Sequence, residues 1–250
     1  MERMESIITY ECRPEFKNLI FIEGLPGVGN VGKIAADFIS YKLDAKRMAT
    51  ILSSELPPQV FVDSDSYFYS ACNELWYVKD VNGHDILFLQ GDYQASTPQG
   101  QFELCKFIFD KIIGYDPKLI ITLGGYGLGE VVKEPRVLAV SNDSKIKSML
   151  EKKGAQFRPN EPQGGIVGAA AMFLLLANEY DIDAACLMGE TSGFFLDHKS
   201  AKCVVDVLCK VLGIELDTAE MQEDIQQVEQ INNEVQALAE TNPEDLSYFR

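Results

Sequence analysis

Short apolar segments alternate with longer amphipathic segments along most of this chain, and this alternation is the feature that most constrains its fold. Apolar runs bounded by Gly or Pro are typical of buried strands, and apolar residues at steps of three and four are typical of helices. Asn82-Gly83, between two such runs, is the strongest short-range hairpin signal. The predicted strands are residues 18–23, 48–53, 74–78, 85–90, 119–123, 137–140 and 183–188, and the predicted helices are residues 31–43, 98–113, 143–153, 166–180 and 197–212. This order predicts a three-layer α/β domain with a mostly parallel or mixed sheet and helices on both faces.

The charge balance narrows the classes of partner. The chain has 38 acidic side chains against 22 basic ones, a formal net charge of −16, which repels phosphate backbones and anionic lipid. The longest apolar stretch, residues 166–177, has 12 residues and is too short to span a bilayer core of about 30 Å. The first five residues lack the basic-then-apolar order of a secretory signal. We therefore expect a soluble, cytoplasmic protein that binds neither nucleic acid nor membranes.

The six cysteines fit the same compartment. They form no C-x-x-C pair, and the chain has two histidines to join them as metal ligands. Disulfide frameworks are rare in long intracellular chains. The sequence therefore predicts small thiols that fill the core, with no metal site and no cofactor.

A glycine-rich segment follows the first predicted strand and precedes the first predicted helix. Residues 27–32 match the G-x-G-x-x-G dinucleotide fingerprint, with glycines at Gly27, Gly29 and Gly32. Residues 27–33 also match a phosphate-binding loop, but Ile34 occupies the position where a Ser or Thr hydroxyl would bind magnesium. The alternative is that these glycines allow a tight turn and close packing of the helix on the sheet. Both interpretations stay open at this point.

Acidic residues fall at the ends of several predicted strands, namely Glu23, Glu55, Asp92 and Glu190. Ligand clefts of open α/β sheets form at the carboxyl ends of strands, where two carboxyl groups can act as acid and base. An alternative hypothesis is therefore a small-molecule enzyme of the phosphorylase, hydrolase or ligase type. Its glycine-rich cleft would contain Gly27, Gly29, Gly32, Asp92 and Glu190.

The last part of the chain has a different pattern. Residues 218–240 contain no Gly or Pro and carry a narrow apolar stripe on a polar helix, which needs a partner surface. The stripe consists of Met221, Ile225, Val228, Ile231, Val235 and Leu238. It packs either on its own domain or between subunits. We expect an α/β core over residues 1–213, a helix over 214–241 and a flexible tail over 242–250.

The final residues of the sequence resemble a docking element. Tyr248-Phe249-Arg250 combines two aromatic rings with a terminal carboxylate. On a flexible tether, such rings can fill an apolar slot while the carboxylate meets a lysine of the partner. The pattern therefore predicts a binding tail.

Several motifs occur together in one order along residues 15–213. They are Ile22 to Gly32, the Pro57-Pro58 segment, Gln90-Gly91-Asp92, the loop from Gly124 to Gly129, and Gly164 to Gly168. In this combination the chain resembles the proteasome assembly chaperone family of the second type, in its archaeal branch. The resemblance implies a fold similar to purine nucleoside phosphorylases and peptidyl-tRNA hydrolases, with no established catalysis, and it implies homo-oligomers.

The resemblance also implies a partner. Some archaeal members dock on the proteasome core particle, and Tyr248-Phe249-Arg250 is similar to the hydrophobic–tyrosine–any tail that proteasome activators insert between α-subunits. Here Phe249 replaces the usual tyrosine, which removes one hydrogen bond worth about 0.5–1.5 kcal/mol. The expected function is ATP-independent binding to the core particle, either as an activator or as an assembly chaperone that does not open the gate.

Overall fold

The computed structural model describes residues 6–226 and residue 228. Two units divide the chain after Leu216. The first unit contains strands β1 Ile7–Tyr10, β2 Ile20–Glu23, β3 Lys46–Leu52, β4 Val60–Val62, β5 Phe68–Ser70, β6 Asn73–Val81, β7 His84–Gly91, β8 Leu119–Gly127, β9 Val137–Ser141 and β10 Ala184–Thr191. Its helices are α1 Val31–Lys42, α2 Pro98–Ile112, α3 Ser144–Lys152, α4 Gly168–Glu179 and α5 His198–Leu212.

The described residues form one large mixed sheet of eight strands, in the order β1-β3-β6-β7-β2-β8-β10-β9. The central strands β7, β2, β8 and β10 run parallel. Antiparallel pairs extend the sheet at both ends, through β6, β3 and β1 on one side and β9 on the other. The predicted α/β class is therefore confirmed, with a sheet that is mixed.

Strand β2 lies near the middle of this sheet because both of its faces are apolar. All four residues, Ile20 to Glu23, are buried, as expected for a strand that helices cover on both sides. Phe21 contacts Phe173 of α4, with ring centroids 5.3 Å apart. Phe173 in turn contacts Phe109 of α2, so α2 and α4 cover one face together.

Helices α1 and α5 cover the opposite face. On β10 the even-numbered Ala184 belongs to the core cluster under α2 and α4, whereas a Cβ at the odd-numbered Gly189 would lie beside Val31 of α1 and Val204 of α5. This alternation follows from the two-residue period of a strand. The two helical layers and the sheet between them are the three predicted layers.

The hairpin predicted at Asn82-Gly83 is present between β6 and β7. Asn82 has a φ of 51° and Gly83 a φ of 84°, and positive φ at both central residues is the requirement of a type I′ turn. The structure adds elements that the sequence did not predict. Strand β1 pairs with the edge of the large sheet, and β4 and β5 form a separate two-stranded sheet.

Helix starts differ between the elements. Thr97 caps α2 by accepting the Gly100 amide, Asp143 caps α3 by accepting the Lys145 and Ile146 amides, and Asp197 caps α5 by accepting the Ser200 amide. Helices α1 and α4 have no side-chain cap. The first-turn amides of α1 and α4 therefore need partners outside the N-cap residue, such as side chains from other segments.

The second unit is described as far as residue 228. Residues 219–226 are helical, Met221 and Ile225 are buried, and Val228 is half-buried. The remaining stripe residues Ile231, Val235 and Leu238 lie outside the described residues, so the extent of the helix and the domain boundaries stay predictions. In the part of the chain that the structure describes, no helix is long and apolar enough to cross a membrane.

Candidate functional site

A cavity of about 410 Å³ lies at the carboxyl ends of the parallel strands, between the end of β2, the second half of β8 and the start of α4. This is the edge of an α/β sheet where ligands usually bind. Its glycine walls are Gly27, Gly124, Gly125, Gly127, Gly165 and Gly168, and its apolar walls are Leu25, Val28, Leu123, Ile166, Ala170 and Met188. The cavity is therefore mainly apolar and backbone-lined.

Glu23 is the acidic residue in this cavity. It ends β2 and is 1% exposed. Its Oε1 accepts the Leu25 amide at 3.0 Å, whereas its Oε2 has no hydrogen-bond partner among the described groups. Burial raises the pKa of Glu23 from 4.5 to about 8, although the main-chain amides of Leu25 and Leu123 oppose this change. At neutral pH the carboxyl group is therefore mostly protonated and has unused bonding capacity.

Strand pairing places two further polar side chains beside Glu23. Glu23 is the register partner of Thr122 on β8, and Thr122 is the partner of Cys186 on β10. Register partners on parallel strands point to the same face. All three residues are buried, and the Thr122 hydroxyl interacts with the Cys186 thiol next to it. The row therefore presents one unsatisfied carboxyl oxygen atom, on Glu23, beside a hydroxyl group and a thiol.

Gln94 connects the two sides of the cavity mouth. Its Nε2 donates to the Pro26 carbonyl at 2.6 Å, and its Oε1 accepts the Ala169 amide at 2.8 Å. Pro26 follows β2, and Ala169 lies in the first turn of α4, which has no side-chain cap of its own. Gln94 therefore satisfies one of the first-turn amides of α4 and fixes this helix end against the loop after β2.

The glycines of the predicted phosphate loop do not share one role. Gly27 lines the cavity, but Gly29 and Gly32 do not. A side chain at Gly32 would overlap the Leu123 carbonyl oxygen of β8, and one at Gly29, whose φ is 62°, would overlap Thr191. Close packing of α1 on the sheet therefore accounts for Gly29 and Gly32.

The structure places the other predicted acids apart. Asp92 follows β7, and its Oδ2 accepts the Cys72 amide at 3.1 Å. Glu190 lies on β10, three strands away, which corresponds to about 14 Å at the usual strand spacing. Glu55 lies beside Gly100 at the start of α2. The predicted cleft residues are therefore not brought together as an acid–base pair.

Glu190 is held in an ion pair. Its carboxylate accepts the Arg136 amide at 3.0 Å and Arg136 Nε at 2.8 Å, and a guanidinium terminal nitrogen also donates to it. Burial alone would raise the pKa of Glu190, but these hydrogen bonds and the positive charge lower it below the ordinary value. Glu190 is therefore an ionised and fully engaged structural group.

The thiols are poor candidates for reactive groups. Burial raises the pKa of Cys105 and of Cys186 to about 12, and that of Cys72 to about 11. Among the residues that the structure describes, no cluster of three or more His, Cys, Asp or Glu side chains could hold a metal ion. Tyr248, Phe249 and Arg250 lie outside the described residues, so the docking tail stays a prediction.

Sequence patterns missed several residues of the cavity, among them Gly124, Gln94 and Tyr126, and also Thr122, which lies beside Glu23 on the next strand. Residues 124–127 are the continuation of β8 rather than the start of a loop. The continuous apolar run around Thr122 was a usable signal, because a strand that is buried on both faces places Thr122 in the interior. Gln94 carries no local signal, since it acts through contacts with segments distant in sequence.

The fold and the cavity define an α/β protein whose parallel strands end at a glycine-walled pocket. The PAC2 family model matches residues 21–236, so the chain belongs to the PAC2 family, as the resemblance predicted. The chain is also 31% identical over 258 residues to an uncharacterized protein of Methanocaldococcus jannaschii, with 98% of each sequence covered.

Solved structures of Pyrococcus furiosus proteins have the same fold. PbaB, described as an archaeal proteasome activator, is 33% identical and superposes with a TM-score of 0.86 over 93% of this chain and 99% of PbaB. PbaA, described as an archaeal homolog of proteasome-assembly chaperone, is 24% identical, with a TM-score of 0.79 over 98% of this chain and 97% of PbaA. The likeness to PbaA concerns the fold alone.

Proposed function

We propose that this protein binds the proteasome core particle without ATP, as an activator or an assembly chaperone. The observation that carries this proposal is the similarity to PbaB, an archaeal proteasome activator, at 33% identity over 93% of this chain. Membership of the PAC2 family supports the same class of partner. The proposed function is binding rather than catalysis.

Exposed apolar side chains support a protein-binding function. On the β4–β5 sheet and its connecting turn, Tyr67 and Phe68 are 73% and 75% exposed. Phe194, Phe195 and Leu196, between β10 and α5, are exposed as well. Large exposed apolar patches are rare on monomeric soluble proteins, and those that occur often mark sites of interaction with other molecules.

We further propose that Tyr248, Phe249 and Arg250 are the docking element, with a terminal carboxylate on Arg250. Met221 and Ile225 are buried within the single chain, so self-association would use the later stripe residues, from Val228 onward, and would present several tails at once. Each short tail binds weakly, and linked copies raise the local concentration into the millimolar range. The affinity of the assembly would then exceed that of one tail by orders of magnitude.

Surface plasmon resonance on immobilised core particle from the same organism tests this proposal. The full chain is compared with a variant that lacks residues 248–250 and with one that carries two glycines after Arg250, which moves the carboxylate. We expect both variants to lose binding while size-exclusion chromatography shows an unchanged oligomer. Phe249→Tyr should bind more tightly, because it restores the phenolic hydrogen bond. Undiminished binding of the truncated variant would exclude the tail as the docking element.

A peptide-hydrolysis assay separates the two forms of the proposal. An activator raises the rate at which the core particle cleaves a short fluorogenic peptide, and the tail-deleted variant does not. An assembly chaperone binds without changing that rate, and it instead increases the yield of core particle from separated subunits. If the full chain neither binds the core particle nor changes either readout, the proposed function is wrong.

A further inference from the structure

Buried polar atoms without partners are rare in folded proteins because each one costs free energy, so their position carries information. Glu23 Oε2 is such an atom, whereas its register neighbour on β8, Thr122, interacts with the Cys186 thiol. Glu23 also lines the cavity of about 410 Å³. A cavity of this size falls in the range of small-molecule sites, which are mostly apolar with a few convergent polar groups.

The cavity is also kept open by Gly124, at a position where neither the backbone conformation nor the packing of neighbouring atoms would exclude a larger residue. Gly124 and Gly125 are adjacent on β8 and both line the cavity. A side chain at Gly125 would overlap the Val28 carbonyl oxygen, so only glycine fits there. A Cβ at Gly124 would meet its nearest neighbour, Met188 Cγ, at 3.9 Å, an ordinary contact. Packing therefore does not require glycine at Gly124, and the absence of a side chain there leaves this part of the cavity open.

We propose that this cavity binds a small carboxylic acid with an apolar body, whose carboxylate accepts a hydrogen bond from the protonated Glu23 side chain. The apolar body would contact Leu25, Ile166 and Met188, which line the walls. The proposal concerns a ligand of the α/β core and does not depend on proteasome binding.

Two features favour a carboxylate over an amine. The start of α4 lines the cavity, its N-cap residue makes no side-chain hydrogen bond, and a helix N-terminus favours negative charge. The lining residues include no lysine, arginine or histidine, so the carboxylate of the ligand would accept hydrogen bonds from Glu23 and from backbone amides. A protonated carboxyl group that donates to a carboxylate forms a short, charge-assisted hydrogen bond.

The ionisable groups around Glu23 allow a test by pH. Cys105 of α2 and Cys186 of β10 are the thiols that interact with Glu23, and burial raises the pKa of each to about 12, so both stay neutral. Tyr126 also lines the cavity. Glu23, with its pKa raised to about 8, ionises between pH 6.5 and 9 and then repels a carboxylate. The apparent affinity for the carboxylate ligand should therefore fall by about tenfold from pH 6.5 to 9, because the fraction of Glu23 that is protonated falls by about the same factor.

Phenylacetate, phenethylamine and phenethyl alcohol are matched probes for ligand-observed NMR and calorimetry with the full chain. We expect phenylacetate to bind most tightly, and about tenfold more weakly above the pKa of Glu23 than below it. Glu23→Gln keeps a neutral donor and should bind phenylacetate with no pH dependence in this range. Glu23→Leu should not bind it.

Cavity-filling variants locate the site. Gly124→Leu and Gly27→Leu each add a side chain at a residue that lines the cavity, and Gly27 has a φ of −154°, which other residues also adopt. Both should abolish binding, and far-UV circular dichroism identifies the variants that fold. Gly114→Leu is the matched control, since Gly114 is exposed with no atom near its Cβ position. The proposal is overturned if phenethylamine binds best and tightens as pH rises, or if no probe binds more tightly to the full chain than to the folded filled variant.

Discussion

Glu23 and Glu190 lie at the same edge of the sheet, on strands separated only by β8, and they have opposite electrostatics. Both are almost fully buried, at 1% and 3% exposed. Glu190 is paired with Arg136, and its pKa is lowered despite its burial. Glu23 has no cationic partner among the described residues, and its pKa is raised to about 8. Two carboxyl groups with similarly low solvent exposure therefore differ in ionisation, and the hydrogen bonds and positive charge of Arg136, with a smaller contribution from Arg158, favour the ionised form of Glu190.

The difference in hydrogen bonding indicates different roles for the two carboxyl groups, a structural role for Glu190 and contact with a ligand for Glu23. Arg136 lies directly before β9 and donates its amide and its side chain to Glu190, so the pair fixes the entry of that strand. All of the bonding capacity of Glu190 is directed within the protein. Glu23 uses one oxygen atom for the Leu25 amide and directs the other toward no protein group. A residue of the second kind is the better candidate for contact with a ligand.

The largest expected effect comes from removing the ionisation of Glu23. The folded state holds its proton up to a pKa of about 8, and the unfolded chain loses it near 4.5. Stability of the native protein should therefore fall as pH rises through this window, by up to about 5 kcal/mol. Glu23→Gln should remove this decrease. Urea unfolding at a series of pH values measures this decrease in the free energy of unfolding. The same pH dependence in the native protein and in the Glu23→Gln variant would contradict the raised pKa of Glu23.

Arg136→Met should remove the guanidinium group that favours the ionised form of Glu190. Breaking a buried pair costs about 3–5 kcal/mol, and because Arg136 is one-third exposed we expect about 3 kcal/mol at neutral pH. The native pair stabilises above the unfolded pKa of Glu190, and this stability is lost as pH falls through its lowered folded pKa. In the variant the loss of stability at low pH should become smaller, because only the main-chain amide of residue 136 and the charge of Arg158 still favour the ionised form. Recovery in the double variant with Glu190→Gln is the control, and no recovery would attribute the loss to packing.

The adjacent glycines of β8 should respond differently to the same small change. Gly125→Ala forces a methyl group against the Val28 carbonyl oxygen and should destabilise by about 1–3 kcal/mol. Gly124→Ala makes an ordinary contact with Met188 and should be neutral, or stabilise by about 0.5 kcal/mol through the unfolded state. Chemical denaturation of both variants gives the comparison. Equal losses would show that the cavity wall at Gly124 is as constrained as the packed position.

The fold could be predicted well because its signals are local. The predicted helix over residues 98–113 corresponds to α2 at Pro98–Ile112, and the hairpin at Asn82-Gly83 is present as predicted. Such elements follow from periodicity, caps and turn residues. Strand β1 was missed because its exposure alternates weakly and its pairing with β3 is long-range. The β4–β5 sheet was missed because its exposed aromatic residues give no alternation with polar ones.

The site could be predicted only in part. A strand that ends in Glu23 and is followed by glycines indicates a cleft at that edge, and the sequence predicted Gly27 in it. The sequence could not indicate that Glu190 has Arg136 as a partner 54 residues away, or that Gly29 and Gly32 serve packing. Pairing across strands decides both, and a single sequence carries no direct signal for register between distant strands.

The smallest expected effect concerns Gln94, which joins the loop after β2 to the start of α4. Gln94→Ala removes its hydrogen bonds to Pro26 and Ala169 and should destabilise by about 1–2 kcal/mol. Gln99→Ala is the matched control, since Gln99 is exposed and bonds only to Glu103 within one helix, so we expect less than about 0.5 kcal/mol. Hydrogen exchange should show faster exchange at the Ala169 amide in the Gln94 variant alone. Unchanged protection there would mean that packing, rather than Gln94, holds α4 at the cavity mouth. The contrast between Glu23, which has an oxygen atom without a hydrogen bond, and Glu190, which is fully hydrogen-bonded, would then not depend on Gln94.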